Sequence, residues 1–391
     1  MFASDILKVF YAPHKIFKKI VENPKYWGAI AVFILFIALQ TGATYLQYEK
    51  IHYEQTFPSA YNTALSDWTD NSTLWQVSPS SALVSNNNFD TLNNTYYGNS
   101  SLQFVSFAGN NISMTLTDFD SVKCGPDSYQ NLSMRIKIAS PSGSPTSVIL
   151  TLYSITESNY FQYDLTSCFS NTNVDTWNNI TVPVGSEASN WLTTGDASWA
   201  NITSLNLEFA FAEDSDISIC VQGLFFRDFY QTYMQINSTY FIITILQQVV
   251  FQFIFHWLLF TGIMFIVIKG LKGAVVWKPL FIAVGFALAV LLIQALIGFA
   301  ALATLPEIFS PMEYQTALAG EYEVIHTTLM TQTATHTTIT AISSLIIYAW
   351  TAILGAFIAK ALVTEFTWSK SILTGTAAIV VTIVLMGLLG V

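Results

Sequence analysis

The chain has 391 residues, 52% of them apolar or aromatic (AVILMFWYC) and only 10% charged. Soluble domains carry about 25% charged residues, so an ordinary cytosolic enzyme is excluded. A net charge of −10, from 25 acidic and 15 basic residues, excludes nucleic acid as a partner, and three cysteines exclude a disulfide-dense scaffold.

In chain order, the first 26 residues predict two short cytoplasmic amphipathic helices. Phe2, Ile6, Val9 and Phe10 share one face, Pro13 opens the second helix at its first turn, and Ile16, Phe17, Ile20 and Val21 continue the apolar side. Lys15, Lys18 and Lys19 form a basic patch, which makes membrane lipid the expected partner of this segment. The first apolar stretch, 27–46, comes next. It is too long for the apolar region of a cleavable signal peptide, and a charged, proline-bearing segment precedes it. Four more stretches reach the roughly 20 residues a helix needs to cross hydrocarbon: 240–268, 279–305, 339–359 and 371–391.

Charge orients these spans. With the N-terminus cytoplasmic, the inner segments 1–26, 269–278 and 360–370 hold ten lysines against Asp5, Glu22 and Glu365. The outer loop 306–336 carries Glu307, Glu313, Glu321 and Glu323 and no Lys or Arg, with Glu321 and Glu323 expected on a solvated face. Sequons begin at Asn71, Asn93, Asn99, Asn111, Asn131, Asn179, Asn201 and Asn237, all within the segment that charge places outside. A multi-pass cell-membrane glycoprotein with a cytoplasmic N-terminus and an outer C-terminus is expected.

Residues 58–232 change character. Short β-rich runs such as SLQFVSF (101–107), ISMTLTDF (112–119), LSMRIKI (132–138), SVILTLYSI (147–155), YFQYDL (160–165), SLNLEFAF (204–211) and ISICVQGLFF (217–226) alternate with turn clusters. This pattern predicts an all-β sandwich, folding independently of the spans. Cys124 and Cys168 lie in polar, turn-rich segments and are expected to be bridged, with Cys220 a free core thiol. Pairings of Cys220 with either remain open, because sequence does not give connectivity.

The succession SLQF, NLSMRIKI, YFQYDL, TWNNITVPVG, ITSLNLEF and ISICVQGLFF resembles carbohydrate-binding-module jelly rolls and galactose-binding-like domains. That resemblance implies two antiparallel sheets, a sugar-binding face and a structural calcium. Trp177, Trp191 and Trp199 are the sugar-stacking candidates, against the plainer reading that Trp177 and Trp199 pack the sandwich. Asp118, Asp120, Asp214 and Asp216, with Glu213, are the calcium candidates, against the plainer reading of solvated loop charges. The lead-in DILKVFYAPHKIFKKIVENP, the five spans and their orientation resemble the Yip1 family, and archaeal members with an inserted domain above all. The DLYGP-type motif of the eukaryotic relatives is absent, so their link to Rab GTPases and vesicle traffic is not carried over.

Polar residues inside spans raise a functional question. Thr244, Gln248, Gln252 and His256 recur every four residues, and Thr328, Gln332, His336, Thr340 and Ser344 form a second stripe. Counted at 1.5 Å per residue from Lys269 and Lys360, His256 and His336 differ in depth by roughly 16 Å, too far to share a metal. Interhelical hydrogen bonding is the expected use. GxSxG, HExxH, Walker and GxGxxG motifs are absent. The sequence therefore predicts a non-enzymatic α-helical membrane bundle with a jelly roll inserted between its first two helices. It would bind glycan or a surface protein, as an accessory subunit of a membrane complex in one form of the idea. The alternative is a small-solute or ion conduit along the stripes.

Overall fold

The computed structural model describes residues 2–59, 68–92, 100–117, 119–170, 175–316 and 320–390. The chain divides into a helical unit (Met1–His52, Thr232–Ile308 and Thr328–Val391) and a β-rich unit (Tyr53–Gln231 and Phe309–Thr327).

The helical unit begins with α1 (Phe2–Tyr11) and α2 (Pro13–Glu22), as the sequence predicts. Ile6 and Val9 of α1 and Ile16, Phe17 and Ile20 of α2 are buried, and Lys19 pairs with Asp5 at 2.8 Å. Pro24 separates α2 from α3 (Tyr26–Glu49). Next come α4 (Tyr233–Gly270), α5 (Trp277–Ala287) and α6 (Val290–Ala303), then α8 (Glu321–Leu362) and α9 (Trp368–Leu389), with the short α7 (Met312–Thr316) in the β-rich unit. A capping box opens α4: Thr232 Oγ1 accepts from the Gln235 amide, and the Gln235 side chain accepts from Thr232 N–H. α5 and α6 form one apolar stretch broken by a tight turn at Leu288–Ala289. Among the described residues, five helical stretches are long and apolar enough to cross a membrane: Tyr26–Glu49, Tyr240–Gly270, Trp277–Ala303, Glu321–Leu362 and Trp368–Leu389. The fourth is longer than expected. Much of the predicted loop 306–336 is the first turns of α8, where threonine hydroxyls donate to carbonyls one turn earlier (Thr327 to Glu323, Thr333 to Leu329).

Backbone-to-backbone packing joins α8 to α9. A Cβ on Gly375 would lie 2.2 Å from the Ala352 carbonyl oxygen, and one on Gly355 3.0 Å from Gly375 Cα. Small residues at such a crossing let helices approach closely where lipid offers no hydrophobic drive.

The β-rich unit holds β1 (Ile51–Phe57), β2 (Trp75–Ser78), β3 (Leu83–Asn87), β4 (Ser101–Leu116), β5 (Asn131–Ser140), β6 (Ser147–Ser154), β7 (Thr156–Asp164), β8 (Asn178–Pro183), β9 (Leu192–Thr194), β10 (Ile202–Thr232) and β11 (Ile308–Ser310). Its organising feature is the antiparallel pair β4–β10. Asn111–Leu116 run beside Leu205–Ala210, and Leu102–Ser106 beside Ile217–Val221, with bulges between. The first half of the pair is flanked by β2 and β6, and β6 leads on to β7 and β9. The second half is flanked by β3 and β5, and β5 pairs with β8. One strand pair thus serves two layers and turns between them at an exposed bulge around Phe107–Asn111, where Ala108 has a φ of 49°. Sequence reading splits each of these strands in two, because the polar bulge looks like a loop. Leu102, Phe104, Ile136, Leu150, Leu207 and Phe209 come from both layers and share one core. Trp75 meets Phe104 edge-on at 5.2 Å across it.

The unit reaches beyond 58–232. β1 and β11 belong to the same sheet, and buried arginines bring in the later segment. Arg227 grips Glu54 through Nε (2.7 Å) and Nη2 (2.8 Å), and Glu313 through Nη2 (2.7 Å) and Nη1. Glu54, 1% exposed, also accepts from the amides of Asp228 (2.9 Å) and Met312 (2.6 Å). Arg135 holds Glu321 at 2.8 Å, so Glu321 is not the solvated charge expected. A 58–232 fragment would strip Arg227 and Arg135 of these partners, which corrects the expectation of simple modularity.

Candidate functional sites

In the β-rich unit, alternation sends Val148, Leu150 and Leu152 of β6 and Phe161 of β7 into the core. Tyr153, Thr151, Tyr160 and Gln162 are left on the opposite face. Register sets Tyr153 against Tyr160 and Thr151 against Gln162, and places Asn206 of β10 between Thr151 and Thr115. The two tyrosine rings meet edge to face at 5.9 Å. Asn206 Oδ1 accepts from Ser113 Oγ at 2.7 Å and from Thr115 Oγ1 at 2.9 Å. Glu208, on the same side of β10, is exposed. Burial pushes the Tyr153 phenol up, and the nearby Glu157, Tyr160 and Glu208 add to it, so it remains an O–H donor at neutral pH. Rings, amides, hydroxyls and a carboxylate on one face suit a polyhydroxylated ligand. None of these residues is singled out by the sequence reading, although the alternation in TLYSI and NYFQYD carries the signal.

The tryptophans sit elsewhere. Trp199 stacks on Phe161 at 3.9 Å and 12°, so one face of its indole is covered. Trp191 meets Trp199 and Tyr163 at 5.1 Å each and donates its indole N–H to the Pro183 carbonyl at 2.8 Å. Trp177 is half-buried just before β8, the length of that strand, roughly 20 Å, from Pro183.

The acidic candidates are dispersed. Asp120 is exposed near the Val122–Ile202 bridge at one end of the β4–β10 ladder, whereas Asp214 and Asp216 lie at its bulge, and Asp216 Oδ1 accepts from Ala108 N–H. Asp118 lies outside the described residues. Among the described residues, no group of three or more His, Cys, Asp and Glu is placed to hold a metal. The expected Cys124–Cys168 bridge is not formed, and all three cysteines are free. Cys124 is buried in the core beside the backbone of Tyr129 and Trp199, which pushes its thiol up, while Cys168 is exposed in the turn after β7. Of the sequons, Asn71, Asn111 and Asn179 are exposed and Asn201 is half-exposed. Asn131 donates its amide to Asp228 Oδ2 at 2.8 Å. Asn237 falls within α4, and Asn93 and Asn99 lie outside the described residues.

In the helical unit, α3, α4, α6, α8 and α9 line a cavity of about 390 Å³. Gln252 and His256 from the first stripe and His336 and Thr340 from the second face it. Thr244, Gln248 and Gln332 are exposed and do not line it. Gln40, Thr44 and Gln47 of α3 join the lining, and their spacing of four and three residues is a signal the sequence reading passes over. Gln294 donates to Ser344 Oγ at 3.0 Å, which sets α6 against α8. His336 lies eight residues from Ser344, about 12 Å, toward the end where Leu302 packs near Leu329. His256 lies beyond Phe253, whose ring meets Phe33 and Phe36 at 5.3 and 5.1 Å near the other end.

No protein-family model and no curated protein matches the chain, so the Yip1 resemblance gains no support from them. Among solved structures, the chain is similar to a family 11 carbohydrate-binding module from Clostridium thermocellum in complex with a β-1,3-1,4-mixed-linked tetrasaccharide. The match has 14% identity and a TM-score of 0.29, over 45% of this chain and 95% of that one. It is also similar to a β-1,2-glucanase from Parabacteroides distasonis, at 12% identity and a TM-score of 0.30, over 41% of this chain and 23% of that one.

Proposed function

We propose that the protein is a multi-pass membrane protein whose β-rich unit, on the extracytoplasmic side, binds glycan on the outward face of β6, β7 and β10. Its role is that of a binder, and the sequence offers no catalytic motif. The lysine distribution and the sequons support the orientation. The observation that carries the ligand class is the face itself: Tyr153 and Tyr160 side by side, with Gln162 and Asn206 along the adjoining row. An aromatic ring under a sugar is worth on the order of 1 kcal/mol beyond the area it buries, and the amides fix hydroxyl positions. A glycan array probed with the full-length protein in nanodiscs tests the reading. Tyr160→Ala and Asn206→Ala should each weaken the best signal about tenfold, and Asp214→Ala at the bulge should not. Binding to no glycan, or equal binding by all these variants, refutes it. Capture of a surface protein through the same face would keep the binder and replace the ligand.

A further inference from the structure

We propose that the cavity in the helical unit is a binding chamber for an uncharged, hydroxyl-rich molecule, either a free polyol or sugar or the headgroup of a neutral glycolipid. Three observations converge. The first is shape: the lining runs along α6 from Leu291 to Leu302, about 16 Å, and the volume of about 390 Å³ falls in the range of small-molecule sites. The second is the donor and acceptor inventory. Gln40, Gln47, Gln252 and Gln294, the hydroxyls of Thr44 and Thr340, and the two imidazoles all line it, and no Asp, Glu, Lys or Arg does. Amides, hydroxyls and neutral imidazoles each both donate and accept. A hydroxyl-bearing ligand answers every one of them. A carboxylate accepts only and an ammonium donates only, and either would bring a charge with no counter-charge into an apolar bundle.

The third observation is a buried atom left over. His256 is only 8% exposed and lines the chamber, yet its Nε2 has no hydrogen-bond partner. His336 Nδ1 is likewise buried without one. Such atoms carry a desolvation cost that a hydroxyl in the chamber would relieve. The imidazoles stand toward opposite ends, so they would hold two ends of one extended ligand and not a metal ion between them.

The test uses the full-length protein carrying Tyr160→Ala, so that sugar held by the β-rich unit does not contribute. Native mass spectrometry in nanodiscs containing monoglucosyl diacylglycerol or phosphatidylglycerol forms the lipid arm. Thermal stabilisation by sorbitol and maltose forms the soluble arm. The chamber should retain the glucolipid over the anionic lipid, or be stabilised by one of the free hydroxylated solutes. Gln252→Leu and the near-isosteric Thr340→Val should each reduce that response at least tenfold, while Gln332→Leu outside the lining leaves it intact. No response in either arm, preference for the anionic lipid, or equal effects of all three substitutions would overturn the proposal. None of these results bears on glycan binding by the β-rich unit.

Discussion

Replacing Arg227 with methionine should be among the most damaging single changes in the β-rich unit. The guanidinium is 12% exposed and serves Glu54 and Glu313 together, and both carboxylates hold it well above the ordinary arginine range despite its burial. Methionine keeps much of the volume and removes the cation, leaving two carboxylates facing each other. Removing one partner of a buried pair costs about 3–5 kcal/mol. For a unit of about 200 residues, that lowers the midpoint of unfolding by about 6–20 °C. The pH dependence should change sign as well. Burial of Glu313 raises its pKa, but hydrogen bonds and charge from Arg227 outweigh that and hold it below the ordinary range. Its contribution is therefore full above the unfolded carboxyl value, about 4.3, and is lost as pH falls through the lower folded value. In Arg227→Met burial dominates and the folded pKa lies above the unfolded one. The variant then recovers stability as pH falls through it. Thermal unfolding of the full-length protein in nanodiscs, followed by near-UV circular dichroism from about pH 2.5 to 8, reads both effects. Arg227→Met/Glu313→Gln should regain part of the loss at neutral pH. A drop under about 2 °C at pH 7, with the wild-type pH slope, would refute the reasoning.

Gly375→Ala should separate α8 from α9 and lower the unfolding midpoint of the helical unit, whereas Gly387→Ala, whose Cβ meets nothing within 4 Å, should be silent in the same measurement. Peptide mapping after expression in a glycosylating host should find glycan on Asn71, Asn111 or Asn179 and none on Asn131, whose amide nitrogen is committed to Asp228. Maleimide at pH 8 should label Cys168 in the folded protein and spare Cys124 and Cys220, and mass spectrometry before and after denaturation counts the thiols. Burial pushes the Cys220 thiol up to about 11, with Asp90 adding to it, so little thiolate forms there.

How much of this is legible in the sequence depends on the range of the interaction. The spans are local: an apolar run such as GAIAVFILFIAL announces itself, and α3 covers it and continues for ten residues beyond it. Pro13 opens α2 by the same local logic. The β runs are visible through their alternation, but the continuity of β4 and β10 is not, because a bulge that swaps layers is polar and mimics a loop. The Arg227 cluster was beyond reading. Its partners lie 173 and 86 residues away, and nothing about an isolated glutamate tells which arginine it will meet. Trp177, Trp191 and Trp199 are conspicuous by residue type alone, whereas the pairing of Tyr153 with Tyr160 follows only from cross-strand register. The surroundings of Cys124 show the same effect: its turn-rich sequence looks exposed, and the fold buries it.

The sharing of β4 and β10 by both layers has a mechanical side. In a sandwich of two separate sheets, a ligand on one outer face can be accommodated by sliding that sheet over its neighbour. Here such a slide is opposed, because Asn206, beside Thr151 in the row next to the tyrosines, and Phe226 in the other layer belong to one continuous strand. Load on the outer face of β6, β7 and β10 passes along that covalent line into the second layer, so the two layers of the β-rich unit move as one body.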